Sequence, residues 1–256
     1  MSSLTKRTRF IGIHKPPLNL SREEFERKAS ALGDAIAALP IAQNNLLKLD
    51  IIFQNTLMDE HMKGVGLSIA APTVVMSAEY ESLDHLQRAR VLKDPALKKL
   101  LTESDDFGFR KHATAFAADV YSAVDAPDIT AGLHVICVYS CPPQFSADVF
   151  GQKMKELMEN IASQSIRDKL SHYSLWLQND AVDKHLQALG YPAPKPLLVV
   201  RADSEHLDHM KEIFEHSDVS RLLKEGIRDL GFHRDSDNPT EAHCFSADIA
   251  TKISKY

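Results

Sequence analysis

Cysteine is scarce in this sequence: Cys137, Cys141 and Cys244 are an odd number with no C-x-x-C spacing. That pattern argues against a disulfide framework and against a zinc knuckle, and leaves buried thiols as the expectation. Positive charge is not in excess either, since 30 Lys and Arg face 35 Asp and Glu for a formal charge of −5. No basic surface is therefore expected to attract nucleic acid. Long apolar runs are missing. The basic start, MSSLTKRTRFIGIHKPP, holds only the apolar run Phe10 to Ile13 before His14, too short for a signal-peptide core, and no later segment approaches the ~18 apolar residues of a membrane span. A Gly-rich phosphate loop, a serine nucleophile elbow, an H-E-x-x-H pair and a nucleotide fingerprint are absent as well, so neither a cofactor nor a metal is expected. These absences predict a soluble, cytoplasmic protein with no nucleic-acid or membrane partner.

What the chain does contain is a long repeat. MDEHMKGVGL (Met58 to Leu67) and VDKHLQALGY (Val182 to Tyr191) place Asp, His and Gly alike. At the same offset of 124, LLKLDIIFQN (Leu46 to Asn55) falls on LSHYSLWLQN (Leu170 to Asn179), and the Leu-Asp-His triplet recurs at Leu83 and Leu207. An offset of 125 aligns Ser21, Phe25, Lys28, Leu32 and Ile36 with Ser146, Phe150, Lys153, Leu157 and Ile161, while 123 aligns DDFGF with RDLGF. Small changes of offset are what loop insertions produce, and two long copies mean a duplicated domain rather than a solenoid. The copies are placed at 1–125 and 132–256, joined by DAPDITAG, which lacks hydrophobic periodicity.

Each copy reads as strand, helix, two strands, helix, strand. Phe10 to His14 and Leu133 to Tyr139 are short β-rich runs, and Ser21 or Ser146 then caps a helix whose apolar residues recur at helical spacing. Second helices are predicted from about Leu83 to Leu101 and from about Glu205 to Leu230, with final strands at Thr114 to Tyr121 and His243 to Ile249. The expected fold class is α+β: two tandem ferredoxin-like βαββαβ units whose sheets face each other as an intramolecular dimeric α/β-barrel.

The stretches IHKPPLNLSREEFERKASAL, AALPIAQNNLLKLDIIFQN and VLKDPALKKLLTESDDF resemble the EthD-like branch of the dimeric α/β-barrel superfamily, over nearly the whole chain and as a tandem fusion similar to large fungal members. The resemblance implies a cofactor-independent enzyme, a cyclase, decarboxylase or related lyase, acting on a small apolar or aromatic molecule. The sequence departs from the family's pattern in two places. A His-Gly-Pro segment common in the family is replaced by Gly33 in the first copy and Met158 in the second, and a His-Pro-x-His element by Asp94-Pro95 and by His216-Ser217-Asp218.

Among the twelve histidines, His61 and His185 are read as structural, with Asp59 and Asp183 capping short helices that Gly66 and Gly190 end in a left-handed conformation. Glu205, His209, Glu212 and His216 share one helix stripe, expected to be a solvated, paired face. His14 and Tyr139 end the first strands at matching places. Lys48, Asp50 and Gln54 share a strand face answered by His172, Ser174 and Gln178, with Trp176 on that face. Either a small-molecule pocket or a hydrogen-bonded seam between sheets satisfies this pattern. The leading reading makes His216, His14 and Tyr139 catalytic by proton exchange with an enolisable substrate, and His172, Trp176, Lys48 and Asp50 substrate-binding. Divergence is expected to concentrate in the second copy, around Tyr139, His172, Trp176 and His216. The alternatives are a non-catalytic binding or assembly protein, with homodimerisation open, and a haem protein if a histidine is free beside a roomy apolar pocket.

Overall fold

The computed structural model describes residues 3–125, 132–232 and 242–256; the expected junction at 126–131 lies outside the described residues. Among the described residues nine strands form in chain order: β1 (Ser3–His14), β2 (Lys48–Asn55), β3 (Ser68–Ile69), β4 (Val74–Tyr80), β5 (Ala113–Asp125), β6 (Leu133–Ser140), β7 (His172–Asn179), β8 (Leu197–Ser204) and β9 (Ala242–Ser254). Eight of them close on themselves in the order β2-β4-β1-β5-β7-β8-β6-β9, the ring being completed by β9 against β2. All eight contacts are antiparallel, and the two-residue β3 is added in parallel to the edge of β9. The result is an α+β protein built on a closed eight-stranded antiparallel barrel, which leaves no free sheet edge in the ring. In each half the strands lie in the same spatial order, with the second beside the third, then the first, then the fourth.

Alternation along the strands divides side chains between lumen and exterior. Ile11, Ile52, Val75, Phe116, Val120, Ile136, Trp176, Val199 and Phe245 fill the middle of the lumen. Neighbours in sequence, such as Phe10, His14, Met76 and Ala78, face outward, under helices. Trp176 is completely enclosed, so its emission is expected to be blue-shifted and insensitive to acrylamide. Quenching like that of an exposed indole would mean the lumen is not packed as described.

The helices are α1 (Arg22–Ala37), α2 (Pro40–Asn45), α3 (Asp59–Gly64), α4 (Leu83–Ala89), α5 (Pro95–Glu103), α6 (Ala147–Ala162), α7 (Asp183–Ala188), α8 (Leu207–Glu215) and α9 (Ser217–Asp229). Ser21 and Ser146 cap α1 and α6 as their hydroxyls accept from Glu24 N and Val149 N. Among the described residues no helix is long and apolar enough to cross a membrane.

The expected single second helix of each half is broken in two. In the first half Arg90 turns left-handed, with φ 53°, and Asp94 caps a new helix whose first residue, Pro95, has no N–H to give an interior helical bond. In the second half His216 adopts an extended conformation between α8 and α9. Final strands also run longer than predicted, because β5 and β9 pair with strands of both halves. A further correction concerns cysteine. Cys137 and Cys244 are joined by a disulfide, and only Cys141 is free. Antiparallel register sets Cys137 directly opposite Cys244, with Cα atoms 4.1 Å apart, a contact that linear spacing does not report.

Asp59 and Asp183 do not cap their helices. Met58 and Val182 occupy the cap positions without a side-chain bond, and one carboxylate oxygen of each Asp is buried with no hydrogen bond. Both carboxylates stand in the first helical turn, at the positive end of the helix. The glycines behave as expected, Gly66 and Gly190 having φ of 89° and 88°.

Candidate functional site

Two cavities of about 60 Å³ each lie between the barrel exterior and the helices, one per half. Both are walled by aliphatic side chains. Among the described residues the polar side chains of the first are His14, Tyr80 and Tyr191; the second carries Tyr139 and Tyr173 beside the disulfide residue Cys137.

His14 ends β1 on the outward face and is 1% exposed. Its Nδ1–H donates to the Phe109 carbonyl at 2.8 Å, which defines the tautomer because a carbonyl can only accept. The Phe109 ring stacks on the imidazole with centroids 3.6 Å apart and planes 15° from parallel. Nε2 is thus the nitrogen left with a lone pair, and it lies 2.5 Å from the point where a Cβ on Gly12 would stand. Any other residue at 12 would displace the ring. Burial lowers the pKa of His14 to about 4, although the Phe109 carbonyl bond opposes the shift, so the ring is neutral at physiological pH. Tyr191 meets it edge-on at 6.5 Å.

The same arrangement recurs in the second half with different chemistry. Tyr139 stands where His14 does, and its ring packs on Phe232 at 5.3 Å, with Phe232 on Phe150 at 6.1 Å as Phe109 packs on Phe25 at 6.2 Å. Left-handed Gly108 and Gly231, with φ of 71° and 81°, turn the chain into these two phenylalanines. The repeated Gly-Phe of DDFGF and RDLGF carried that signal, unread. Burial holds the Tyr139 hydroxyl well above its ordinary pKa, and its oxygen is 3.9 Å from Cys244 Sγ.

The opening ten-residue repeat has a reciprocal job. Met58, Met62, Val65 and Leu67 of the first half pack into the core of the second, whereas Val182, Leu186, Leu189 and Tyr191 of the second pack into the core of the first. Each stretch roofs the other half's cavity. Its histidine stays outside the roof's apolar side: His61 Nε2 pairs with Glu215 at 3.1 Å near the surface.

The remaining sequence candidates lie elsewhere. His216 sits at the α8–α9 corner with Nε2 3.1 Å from Ser165 Oγ, and it lines neither cavity. On its helix stripe Glu212 pairs with Lys169. Lys48, Asp50 and His172 gather at one end of the lumen, next to Trp176. Lys48 Nζ is 3.4 Å from Asp50, which also accepts from Thr251 at 2.7 Å, while Ser174 Oγ takes the Trp176 indole N–H at 3.0 Å and meets His172 Nε2 at 2.8 Å. This is the seam arrangement.

Sequence reading missed the rest of that seam. Glu79 accepts from Arg9 at 2.8 Å, Arg7 at 3.0 Å and Tyr256 at 2.7 Å, and Arg9 lies over Trp176 at 5.1 Å. In the matching places of the second half Asp203 sits 2.9 Å from His134 Nδ1 and binds Arg201 through both oxygens. Burial would raise Asp203, but Arg201 and His134 outweigh it and hold the carboxyl far below its usual range. Period-two alternation from Ile11 to Arg9 and from Val75 to Glu79 would have located these groups. A haem does not fit beside His14, whose Nε2 looks onto Gly12 within a cavity of about 60 Å³.

No family model matches the chain, and no curated protein sequence matches it. Among solved structures it is similar to a monooxygenase-like protein of Fusobacterium nucleatum, with 9% identity, 96% of this chain and 94% of the other covered, and a TM-score of 0.57. It is also similar to an anthrone oxidase-like protein, with 7% identity, all of both chains covered and a TM-score of 0.55. At such identities the likeness establishes the dimeric α/β-barrel fold class alone.

Proposed function

We propose that the chain is a cofactor-independent enzyme of the EthD-like type, built as two tandem ferredoxin-like units over 1–125 and 132–256, whose reaction centre is His14 in the first-half cavity. The observation that carries this is a buried, neutral imidazole, anchored through Nδ1 to Phe109 and stacked on its ring, with Nε2 unprotonated inside an apolar enclosure. Such a group accepts a proton without first losing one. A base with a pKa of about 4 is weak when the cavity is empty, and abstraction from an O–H or a C–H beside a carbonyl depends on negative charge developing on the ligand to raise its basicity. The aliphatic walls select a small apolar or aromatic partner. The closed cavity of about 60 Å³ is below the ~150 Å³ that admits benzene, so an aromatic ligand requires the aliphatic walls under the helices to give way. The oxidase-like and monooxygenase-like structural neighbours support an enzyme at the level of the fold alone.

The second cavity favours a different reading. Its polar groups, Tyr139 and Tyr173, are both pushed up by burial, so it offers no base near neutrality and suits binding without catalysis. Catalysis is tested by following acetophenone and 1-tetralone in D2O by proton NMR. Wild type is expected to accelerate exchange of the α-protons. His14→Asn keeps a donor for the Phe109 carbonyl, removes the base, and should slow exchange about a hundredfold. Equal exchange by the variant, or none above buffer for wild type, overturns the proposal.

A further inference from the structure

We propose that Tyr191, delivered to the His14 cavity by the opposite half, is the hydrogen-bond donor that recognises a neutral oxygen of the ligand, so the site takes apolar ketones, quinones or phenols and rejects carboxylates. The proposal deepens the reading of His14 as a base and rests on it for the reaction, though not for the binding.

The first observation is a polar group on an otherwise aliphatic wall. Tyr191 is 6% exposed and lines the cavity among leucine, isoleucine and alanine side chains. A ligand acceptor placed against its hydroxyl would add a hydrogen bond in an apolar setting. Position is the second. The Tyr191 ring stands edge-on to His14 at 6.5 Å, whereas Tyr80, the remaining polar lining residue, lies at the far end. Strand register pairs His14 with Val74 and Thr8 with Tyr80, six residues or roughly 20 Å along the sheet. A ligand oxygen near His14 can therefore meet Tyr191 and not Tyr80.

Charge is the third. Among the described residues no Lys, Arg, Asp or Glu lines the cavity, so a carboxylate would enter with none of them to offset its desolvation. The roof itself is held in place from outside. Arg110 pairs with Asp105 and donates to the Leu189 carbonyl, and it lies against Gly190, 3.1 Å from where a Cβ would stand. Burial holds the Tyr191 phenol above its ordinary value, with Arg110 opposing the shift and Asp105 adding to it, so the hydroxyl keeps its proton and can donate. Leu67 fills the matching place over the other cavity, so the phenol is particular to the His14 site.

The test compares acetophenone, ethylbenzene and benzoate by calorimetric titration of the full chain. Wild type is expected to bind acetophenone more tightly than ethylbenzene and to show no benzoate binding. Tyr191→Phe should lower acetophenone affinity about tenfold and leave ethylbenzene unchanged. Tyr191→Leu, which installs the residue that already roofs the second cavity, should do the same and guards against a folding artefact. Equal losses for both neutral probes, an unchanged acetophenone affinity, benzoate binding as tight as acetophenone, or no acetophenone binding by wild type would each overturn the proposal. The two proposals fail separately. If His14→Asn abolishes exchange while Tyr191→Phe leaves affinities alone, the base stands and the donor falls. If Tyr191→Phe weakens acetophenone selectively while wild type never exchanges its protons, the donor stands and the reaction falls.

Discussion

Replacing Glu79 by alanine is expected to destabilise the protein by about 3–5 kcal/mol, a fall in melting temperature of roughly 10 °C for a chain of this size. Glu79 is 3% exposed and is the shared acceptor for Arg9, Arg7 and the Tyr256 hydroxyl. Arg7 is half exposed and contributes little. Arg9 decides the size of the effect, because the residue is 8% exposed, with its guanidinium against Trp176 in the lumen, and loses its carboxylate while remaining enclosed. Burial alone would raise the Glu79 carboxyl, but Arg9, the Tyr256 bond and Arg7 outweigh it and hold it below its ordinary value. That carboxylate's contribution is therefore present above the ordinary carboxylate range and fades as pH falls below it. The double variant Glu79→Leu with Arg9→Met should recover much of the loss, since the penalty comes from the orphaned charge and not from the missing attraction. Chemical denaturation decides between these: a loss under about 1 kcal/mol for Glu79→Ala would mean the lumen end is wet.

The second large effect is acid sensitivity through His14. Its folded pKa of about 4 lies below the ordinary 6.5 of histidine in an unfolded chain. Between these values the unfolded state binds the proton that the folded state refuses, so stability rises with pH over that interval and is flat above it. Acidifying from about pH 6.5 to pH 4 should thus remove about 3 kcal/mol in wild type that His14→Asn does not lose. The window meets the carboxylates only at its acid end: Asp203 and Glu79, both held below their usual values, begin to lose their contribution as pH falls through the ordinary carboxylate range, and they do so equally in wild type and His14→Asn. Parallel stability curves for wild type and His14→Asn from pH 7 to pH 4.5 would show that the imidazole is hydrated and can charge in place.

Much of this architecture was readable from the chain because periodicity and repetition are local signals. Ser21 and Ser146, the Gln-Asn ends of the second strands and the paired glycines fell where the structure has them. The functional arrangement was less readable, for physical reasons. His14 acquires its tautomer from the carbonyl of Phe109 and its roof from Tyr191, contacts that depend on tertiary closure and leave no spacing behind. The disulfide was invisible for the same reason, cross-strand register being set by the whole ring. Lys48 and Asp50 were read from alternation, but the identical alternation through Arg9 and Glu79 was passed over because charged residues beside Ile11 and Val75 look like exposed ends. In a closed barrel an end is not outside.

The reciprocal roofs bear on how the site could have come to differ between halves. Two identical polypeptides paired in this manner would give both cavities the same base and the same covering residue, and any change in one would appear in the other. A covalent tandem removes that constraint. Here Leu67 covers the cavity that has Tyr139, and Tyr191 covers the one that has His14. His14 and the Tyr191 that covers it are thus encoded about 177 residues apart, in opposite halves, and each can change without obliging a counterpart to follow. Without the second half, His14 would lose the Tyr191 that now covers its cavity.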